Sequence, residues 1–273
     1  VTCEYRLEAR LLGLCSDRNW SIRGIDPNGP CVVITGPKTS YCFDASSKLI
    51  HEYSPDVVFL THGGHRHTSQ LFNLDANQVH TPLVQDGYQV PFDRRMAASL
   101  GISNFDKLGC KEGDTRNLKA EDIERLIVDG GEKSLMQFHA NGSCKNVFVD
   151  EFVSVYAMPT LHERGRQSAS YLVQNLSSEN WVWISGDFYG LKKHAIRFIK
   201  SQSGNIKATF VELTIPKQNG GLRHMTPEFL RKMFGQLELD ESILFPYHLS
   251  EAWRGHEGEI PGQVISPDVV VEF

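Results

Sequence analysis

No stretch of this sequence reaches 18 consecutive apolar residues, so a membrane-spanning helix is not expected. No C-x-x-C pair occurs among the six cysteines, at 3, 15, 31, 42, 110 and 144, which argues against a cysteine zinc knuckle. Their wide scatter points to reduced, mostly buried thiols and so to a cytoplasmic setting, although an even count leaves disulfides formally open. An excess of positive charge is also missing. A net charge of −5 and a pI near 6.1 give no general attraction to nucleic acid, while remaining compatible with a local basic groove. The N-terminal residues show no basic segment followed by an apolar one, the mark of a secretory signal. The tripeptides opening at Asn19, Asn141 and Asn175 would be glycosylation acceptors only in a secreted chain. Repeats, low-complexity tracts and linkers are absent too, so one domain over residues 1–273 is the economical reading.

What is present is a hydrophobic content of 40%, enough for a large core. Residues 4–14, 31–35 and 41–44 read as an early meander of short strands, the third ending in a carboxylate, with Pro27-Asn28-Gly29-Pro30 as a turn. A short helical piece over 48–53 is stopped by Pro55. Further strands are expected at 81–84, 147–158, 208–212, 242–245 and 264–273, and a hairpin pair at 168–174 and 181–185. A helical or irregular piece is expected at 120–128, and helices at 93–100, 190–201 and 227–237, the last with Thr226 as N-cap and Pro227 in its first turn. Strands come first and then alternate with helices, which gives a layered α/β architecture. Residues 86–146 carry no motif with chemical content.

The chemistry concentrates at strand ends. Val57-Val58-Phe59-Leu60 is β-branched or aromatic at three of four places and reads as a buried strand. It runs into Thr61-His62-Gly63-Gly64-His65-Arg66-His67, where two glycines break regular structure and three imidazoles can converge. Neutral imidazole is the commonest biological metal ligand. His162 follows the strand at 147–158, Asp187 follows 181–185 after Gly186, and His248 follows 242–245. Any one of these alone reads as a surface or packing residue. Four separate strands each ending in a metal-competent side chain read as a shared site.

On these residues the chain resembles the metallo-β-lactamase fold superfamily. The family pattern is Thr-His-x-His-x-Asp-His after a strand, then a distant His, an Asp in a Ser/Thr-Gly-Asp turn and a final His. Thr61-His62, His162, Ser185-Gly186-Asp187 and His248 match it in order. The later half looks most like the branch of the transfer-RNA 3′-processing nuclease and small phosphodiesterases, through Glu212-Leu213-Thr214, His224-Met225-Thr226 and Tyr247-His248-Leu249-Ser250. The first motif departs from the family. Its second histidine falls on Gly64 and its Asp on Arg66, with nothing nearby that obviously replaces the Asp. His65 takes the vacant histidine place if the loop bulges by one residue, which the glycines permit. In another register His65 and His67 lead, with Ser69 and Gln70 in the later places; His62 is preferred because it directly follows the strand. Arginine at 66 cannot ligate and disfavours a second cation nearby.

The resemblance implies a four-layer αββα metallo-β-lactamase-like sandwich and one or two Zn²⁺ ions, with Mn²⁺ as an alternative. His62, His65 or His67, His162 and Asp187 would form one centre. His248 would join it, or hold a weaker second ion with His67 across Asp187. Asp187, His224 and Glu212 would be the catalytic residues, His224 protonating the leaving alkoxide with Glu212 behind it. Arg164, Arg166 and Arg223 could meet substrate anions, though solvated arginines are the plainer reading. Relatives are often dimers, which allows a homodimer without fixing the oligomeric state, and no membrane partner is expected.

Three functions compete. One is a metal-dependent phosphodiesterase acting on a nucleotide, RNA or DNA. A second is a hydrolase of another ester, thioester or lactone. The third is a non-enzyme that keeps the fold for binding. His162, Asp187, His224 and His248 favour an enzyme; Gly64 and Arg66 favour the binder. Loss confined to one loop tips the balance to the enzyme.

Overall fold

The computed structural model describes residues 5–13, 29–62, 67, 70, 74, 76, 78–83, 90–92, 116–118, 134–139, 143–162, 167–217, 224–263 and 270–273. In chain order its strands are β1 (Glu8–Gly13), β2 (Cys31–Thr35), β3 (Ser40–Phe43), β4 (Val57–Phe59), β5 (Gln78–Leu83), β6 (Val90–Phe92), β7 (Arg116–Leu118) and β8 (Ser134–His139). These are followed by β9 (Lys145–Val149), β10 (Val153–Leu161), β11 (Gln167–Asn175), β12 (Trp181–Ile184) and β13 (Gly190–Leu191). Helix α1 (Lys193–Gln202), β14 (Ile206–Glu212), helix α2 (Pro227–Leu237), β15 (Leu244–Tyr247) and β16 (Val270–Glu272) complete the order. The helix expected at 93–100 and the helical or irregular piece at 120–128 lie outside the described residues.

Two seven-stranded sheets form the body. The first runs β16-β1-β2-β3-β4-β5-β8, so the last strand closes against the first. The second runs β13-β10-β11-β12-β14-β15, with β9 also paired to β10; β6 and β7 pair only with each other. The inner faces meet through aromatic rings. Phe43 and Phe59 stack at 4.9 Å, and both contact Tyr171 of the other sheet, at 5.4 and 5.6 Å. α1 and α2 cover the second sheet with the buried side chains Ala195, Ile199, Leu230, Met233, Phe234 and Leu237. The mixed α/β architecture with two facing sheets is the one expected from the sequence. His80, at the end of this aromatic row, stacks on Phe59 at 4.8 Å, and burial pushes its imidazole down to about 4. It is a neutral packing residue.

Several boundaries differ from the sequence reading, for local reasons. The strand expected over 147–158 is broken in two, because Asp150 Oδ1 accepts the backbone N–H of Phe152 and of Val153, both at 2.8 Å. A carboxylate that offers the backbone a local partner competes with the ladder and makes a turn. The strand expected from 242 starts at Leu244, after a 3₁₀ turn (Glu241–Ile243) capped by Asp240. Gly190 and Leu191 join the sheet against β10, so α1 starts at Lys193. Thr226 stands at the N-cap of α2 and Pro227 in its first turn, as expected, but the Thr226 hydroxyl makes no capping bond. The Asn175 side chain is buried and donates to Phe273 O at 2.6 Å, so it is not a glycosylation acceptor in the folded chain. Cys31 and Cys42 are buried free thiols 3.7 Å apart, and Cys144 is free and half-buried. Among the described residues no helix is long and apolar enough to cross a membrane.

Strand direction positions the site. β3 and β4 are parallel, as are β12, β14 and β15, while β10 and β12 both run antiparallel to β11. The C-terminal ends of strands within each set therefore point one way. Ligand sites of open α/β sheets lie beyond carboxyl ends of strands. The two sets open on one shared rim, where Ala169 N–H donates to Thr61 O at 2.8 Å and Tyr171 Oη donates to Leu60 O at 2.5 Å across the sheets.

Candidate metal centre

Six strand ends deliver polar side chains to that rim: Asp44 after β3, His62 after β4, His162 after β10, Asp187 after β12, Glu212 at the end of β14 and His248 after β15. All six are buried. Asp187 lies among the imidazoles. Its Oδ1 is 3.2 Å from His67 Nε2 and 3.5 Å from His248 Nε2, and its Oδ2 is 3.9 Å from His62 Nε2. Two overlapping donor sets result, His62 with His67 and Asp187, and Asp187 with His224 and His248; within each, one ligand atom per residue lies within 4.8 Å of the others. His162 flanks both, its ring 5.3 Å from that of His62 and 5.7 Å from that of His224.

Four of the rings, those of His62, His67, His224 and His248, are held from behind by Nδ1. His67 Nδ1 donates to Asp44 Oδ2 at 2.7 Å. The Thr61 hydroxyl donates to the same oxygen at 2.9 Å, which leaves it to accept from His62 Nδ1 at 3.2 Å. The Thr214 hydroxyl donates to Glu212 Oε1 and so accepts from His248 Nδ1 at 2.7 Å. His224 Nδ1 donates to Glu212 Oε1 at 2.5 Å, and Glu212 Oε2 accepts from the Phe188 N–H at 2.9 Å. A carboxylate or hydroxyl on Nδ1 fixes the tautomer and turns Nε2 into the ligating atom.

The electrostatics follow from burial and from two carboxylates. Burial lowers the basicity of His67, but Asp187 and Asp44 on its two sides outweigh it and raise its pKa to about 10. Burial and the neighbouring His67 charge hold His62 well below the ordinary imidazole range. Asp187 sits well below the usual carboxylate range because His248 and His67 overcome its burial. Burial pushes the Glu212 carboxyl up, against the pull of His224.

The donor set fits a divalent ion of the zinc type. Among the described residues, His67 Nε2 and Asp187 Oδ1, both buried, face each other at 3.2 Å without a well-directed hydrogen bond. Such atoms cost roughly 1–3 kcal/mol each when unsatisfied. Imidazole nitrogens with one carboxylate are ligands for Zn²⁺ and similar ions, and a cation there displaces the proton that His67 otherwise holds.

The sequence-expected residues His62, His67, His162, Asp187, Glu212, His224 and His248 thus meet in one place. His65, with Gly64, Arg66, Arg164, Arg166 and Arg223, lies outside the described residues. His62 stands beside Asp187; the alternative register, led by His65, rests on residues outside the described ones. Sequence reasoning missed the role of Asp44. It noted a carboxylate ending the third strand, but not that parallel pairing of β3 with β4 sets it behind His67. Thr61 and Thr214 were quoted only as parts of motifs, and their bonds to His62 and His248 are visible only in the fold.

Gly186 marks the tightest point. Its φ is +63°, and a Cβ there would stand 2.5 Å from Thr61 Cβ and 2.9 Å from Ala169 O. Gly186→Ala is therefore expected to destabilise the protein by about 2–5 kcal/mol, from left-handed strain plus overpacking. Urea unfolding measures this, and the same substitution lowers metal retention because Asp187 is the next residue.

No protein-family model matches this sequence, and no curated protein matches it. Solved structures do. The chain is similar to the metallo-beta-lactamase fold protein YhfI from Bacillus subtilis, with a TM-score of 0.61 and 12% identity over 99% of this chain and 100% of that one. It is similar to a diphosphatase from the PhnP family, with a TM-score of 0.60 and 12% identity over 98% of each chain. It is also similar to the short form of human tRNase Z, with a TM-score of 0.58 and 15% identity over 90% of this chain and 94% of that one. Full-length coverage by such structures, with a histidine and aspartate cluster at the shared rim, means that this chain has the metallo-β-lactamase fold.

Proposed function

We propose that this protein is a metal-dependent hydrolase of phosphodiester bonds, using one or two Zn²⁺ ions or Mn²⁺ in their place. The observation that carries the reading is Asp187 among the Nε2 atoms of His62, His67 and His248. The His224–Glu212 pair lies beside it. These four residues, with His162, would hold the ion or ions. The chemistry a divalent ion supplies there is polarisation of a phosphoryl oxygen and water of lowered pKa. Glu212 orients His224 through Nδ1, so Nε2 is the ring nitrogen that gives a proton to the leaving alkoxide. The carboxylate of Glu212 also stabilises the imidazolium before that transfer. Burial of the surrounding side chains keeps bulk water from competing for these bonds.

The test is metal content of protein purified without added metal, together with turnover of bis-p-nitrophenyl phosphate and of p-nitrophenyl acetate. Content of about one ion per chain and turnover of the phosphodiester alone support the reading. Turnover of the acetate alone assigns another ester class. Metal below about 0.2 per chain, unresponsive to Zn²⁺ or Mn²⁺, assigns a binding protein, which the Gly64 and Arg66 departures favour. His224→Ala is expected to lower kcat by about 10²–10³-fold with metal content unchanged. A matching fall in metal content would make His224 a ligand and remove it as the proton donor.

A further inference from the structure

Both backbone groups of Gly186, in the turn that delivers Asp187, are held by side chains. Its carbonyl accepts from Ser185 Oγ at 2.8 Å, and its N–H donates to Tyr247 Oη at 3.0 Å. Ser185 and Tyr247 are buried, as is the glycine between them. Ser185 belongs to the turn itself. Tyr247 does not. It ends β15, and β14 lies between β15 and β12. Neighbouring strands lie about 4.8 Å apart, so the bond joins backbones two strand spacings, roughly 10 Å, from each other. A serine or threonine hydroxyl at 247 is too short to make it. A hydroxyl carried at the far end of an aromatic ring is long enough.

That hydroxyl ties two donor residues together. Successive residues of a strand point to opposite faces, but His248 leaves strand geometry at φ = 58°. A non-glycine residue in the left-handed region persists only where its surroundings over-determine it. Here they do. Tyr247 and His248, consecutive in the chain, meet Gly186 and Asp187, also consecutive. Tyr247 Oη lies 3.0 Å from Gly186 N, and His248 Nε2 lies 3.5 Å from Asp187 Oδ1. The Tyr247 backbone is pinned too, its carbonyl accepting from the Leu213 N–H at 2.9 Å, next to the Thr214 hydroxyl that holds His248 Nδ1. Without the phenol oxygen the buried Gly186 N–H has lost its acceptor, and the turn rotates to find another. Metal–ligand distances hold to about 0.2 Å, so a small shift of Asp187 against His248 registers at a bound ion.

We propose that Tyr247 is a positioning residue of the metal centre: through Gly186 its hydroxyl sets the spacing of Asp187 and His248, and with it the affinity and geometry of the bound ion. The proposal rests on the reading of Asp187 and His248 as ligands of that ion. Tyr247 itself touches neither ion nor substrate in this role. Partners standing behind metal ligands typically contribute about 10–100-fold in metal affinity.

The experiment compares Tyr247→Phe with Tyr41→Phe in the full chain. Tyr41 is also buried, and its hydroxyl bonds to Asp150 at 2.5 Å, at the ends of β3 and β10 opposite to those that carry Asp44 and His162. Competitive chelation gives the Zn²⁺ affinity, and the visible absorption of the Co²⁺-loaded protein gives the ligand geometry. Tyr247→Phe is expected to bind Zn²⁺ about tenfold more weakly and to move the cobalt bands. Tyr41→Phe is expected to lower the urea midpoint and change neither. Wild-type affinity and bands in Tyr247→Phe, or the same losses in Tyr41→Phe, would overturn the assignment. Where Tyr247→Phe fails to fold, 3-fluorotyrosine placed at 247 keeps the shape with a poorer acceptor oxygen. It is expected to move the cobalt bands, and unmoved bands would overturn the assignment as well. A wild-type chain that takes up neither ion removes both this role and the hydrolase reading. Metal uptake with the expected Tyr247→Phe effect but no phosphodiester turnover removes the hydrolase reading alone.

Discussion

Asp187→Asn is expected to lower phosphodiester turnover by about 10³-fold or more and to strip the protein of metal. The magnitude follows from the role. A Lewis acid contributes several kcal/mol of charge stabilisation in the transition state, and about 4 kcal/mol is a thousandfold in rate. Asp187 is the only carboxylate shared by the two donor sets found among the described residues. Asparagine keeps the shape but removes the negative charge that offsets the cation. It also removes what raises His67, leaving that imidazole to Asp44 alone. Metal analysis and steady-state kinetics on the same preparation check the result. A variant that keeps its full metal content would show that the ion is not held at this carboxylate.

Asp44→Ala is expected to be the most damaging substitution outside the ligand set, at about 3–5 kcal/mol of stability, the range for removing one partner of a buried charge pair. Asp44 is 1% exposed and accepts three groups: His67 Nδ1 at 2.7 Å, the Thr61 N–H at 2.9 Å and the Thr61 hydroxyl. Alanine would leave all three without an acceptor. A second effect separates its role from simple instability. Loss of a carboxylate behind a ligating histidine typically costs about 10–100-fold in metal affinity. Asp44 also has φ = 58°, where alanine is strained and glycine is not. Asp44→Gly is therefore expected to recover about 1–2 kcal/mol of the stability while recovering none of the metal affinity. Urea titration and competitive chelation measure the two quantities apart. Equal losses in both variants would point to backbone strain as irrelevant there, and an unchanged affinity would remove Asp44 from the support of the centre.

Much of the site was legible because its chemistry sits in short, locally encoded strand ends. A buried apolar run stopping at Thr61-His62, or a Trp-Val-Trp-Ile strand stopping at Ser185-Gly186-Asp187, announces both the strand and the residue it delivers. What was not legible depends on partners far away in the chain. Asp44 became readable only when β3 lay beside β4, and the break at Asp150 required knowing that its carboxylate takes two backbone N–H groups. The placement of β13, two residues that read from sequence as the start of a helix, needed its pairing with β10. The strand at 134–139 was missed because its partner β5 carries the register that defines it.

The distribution of donors along the polypeptide has a kinetic consequence. Asp44 and His62 come from the early part of the chain, Asp187 and His248 from the late part, and no contiguous fragment carries the full set. Capture of an ion by this donor set would therefore follow closure of both sheets. A ligand of the closed state alone stabilises by about 4 kcal/mol at a thousandfold excess over its Kd. Contacts made after the folding barrier slow escape from the native state and leave the approach to it unchanged. Chains made under metal starvation would accordingly mature at their usual speed and be lost sooner to unfolding and degradation.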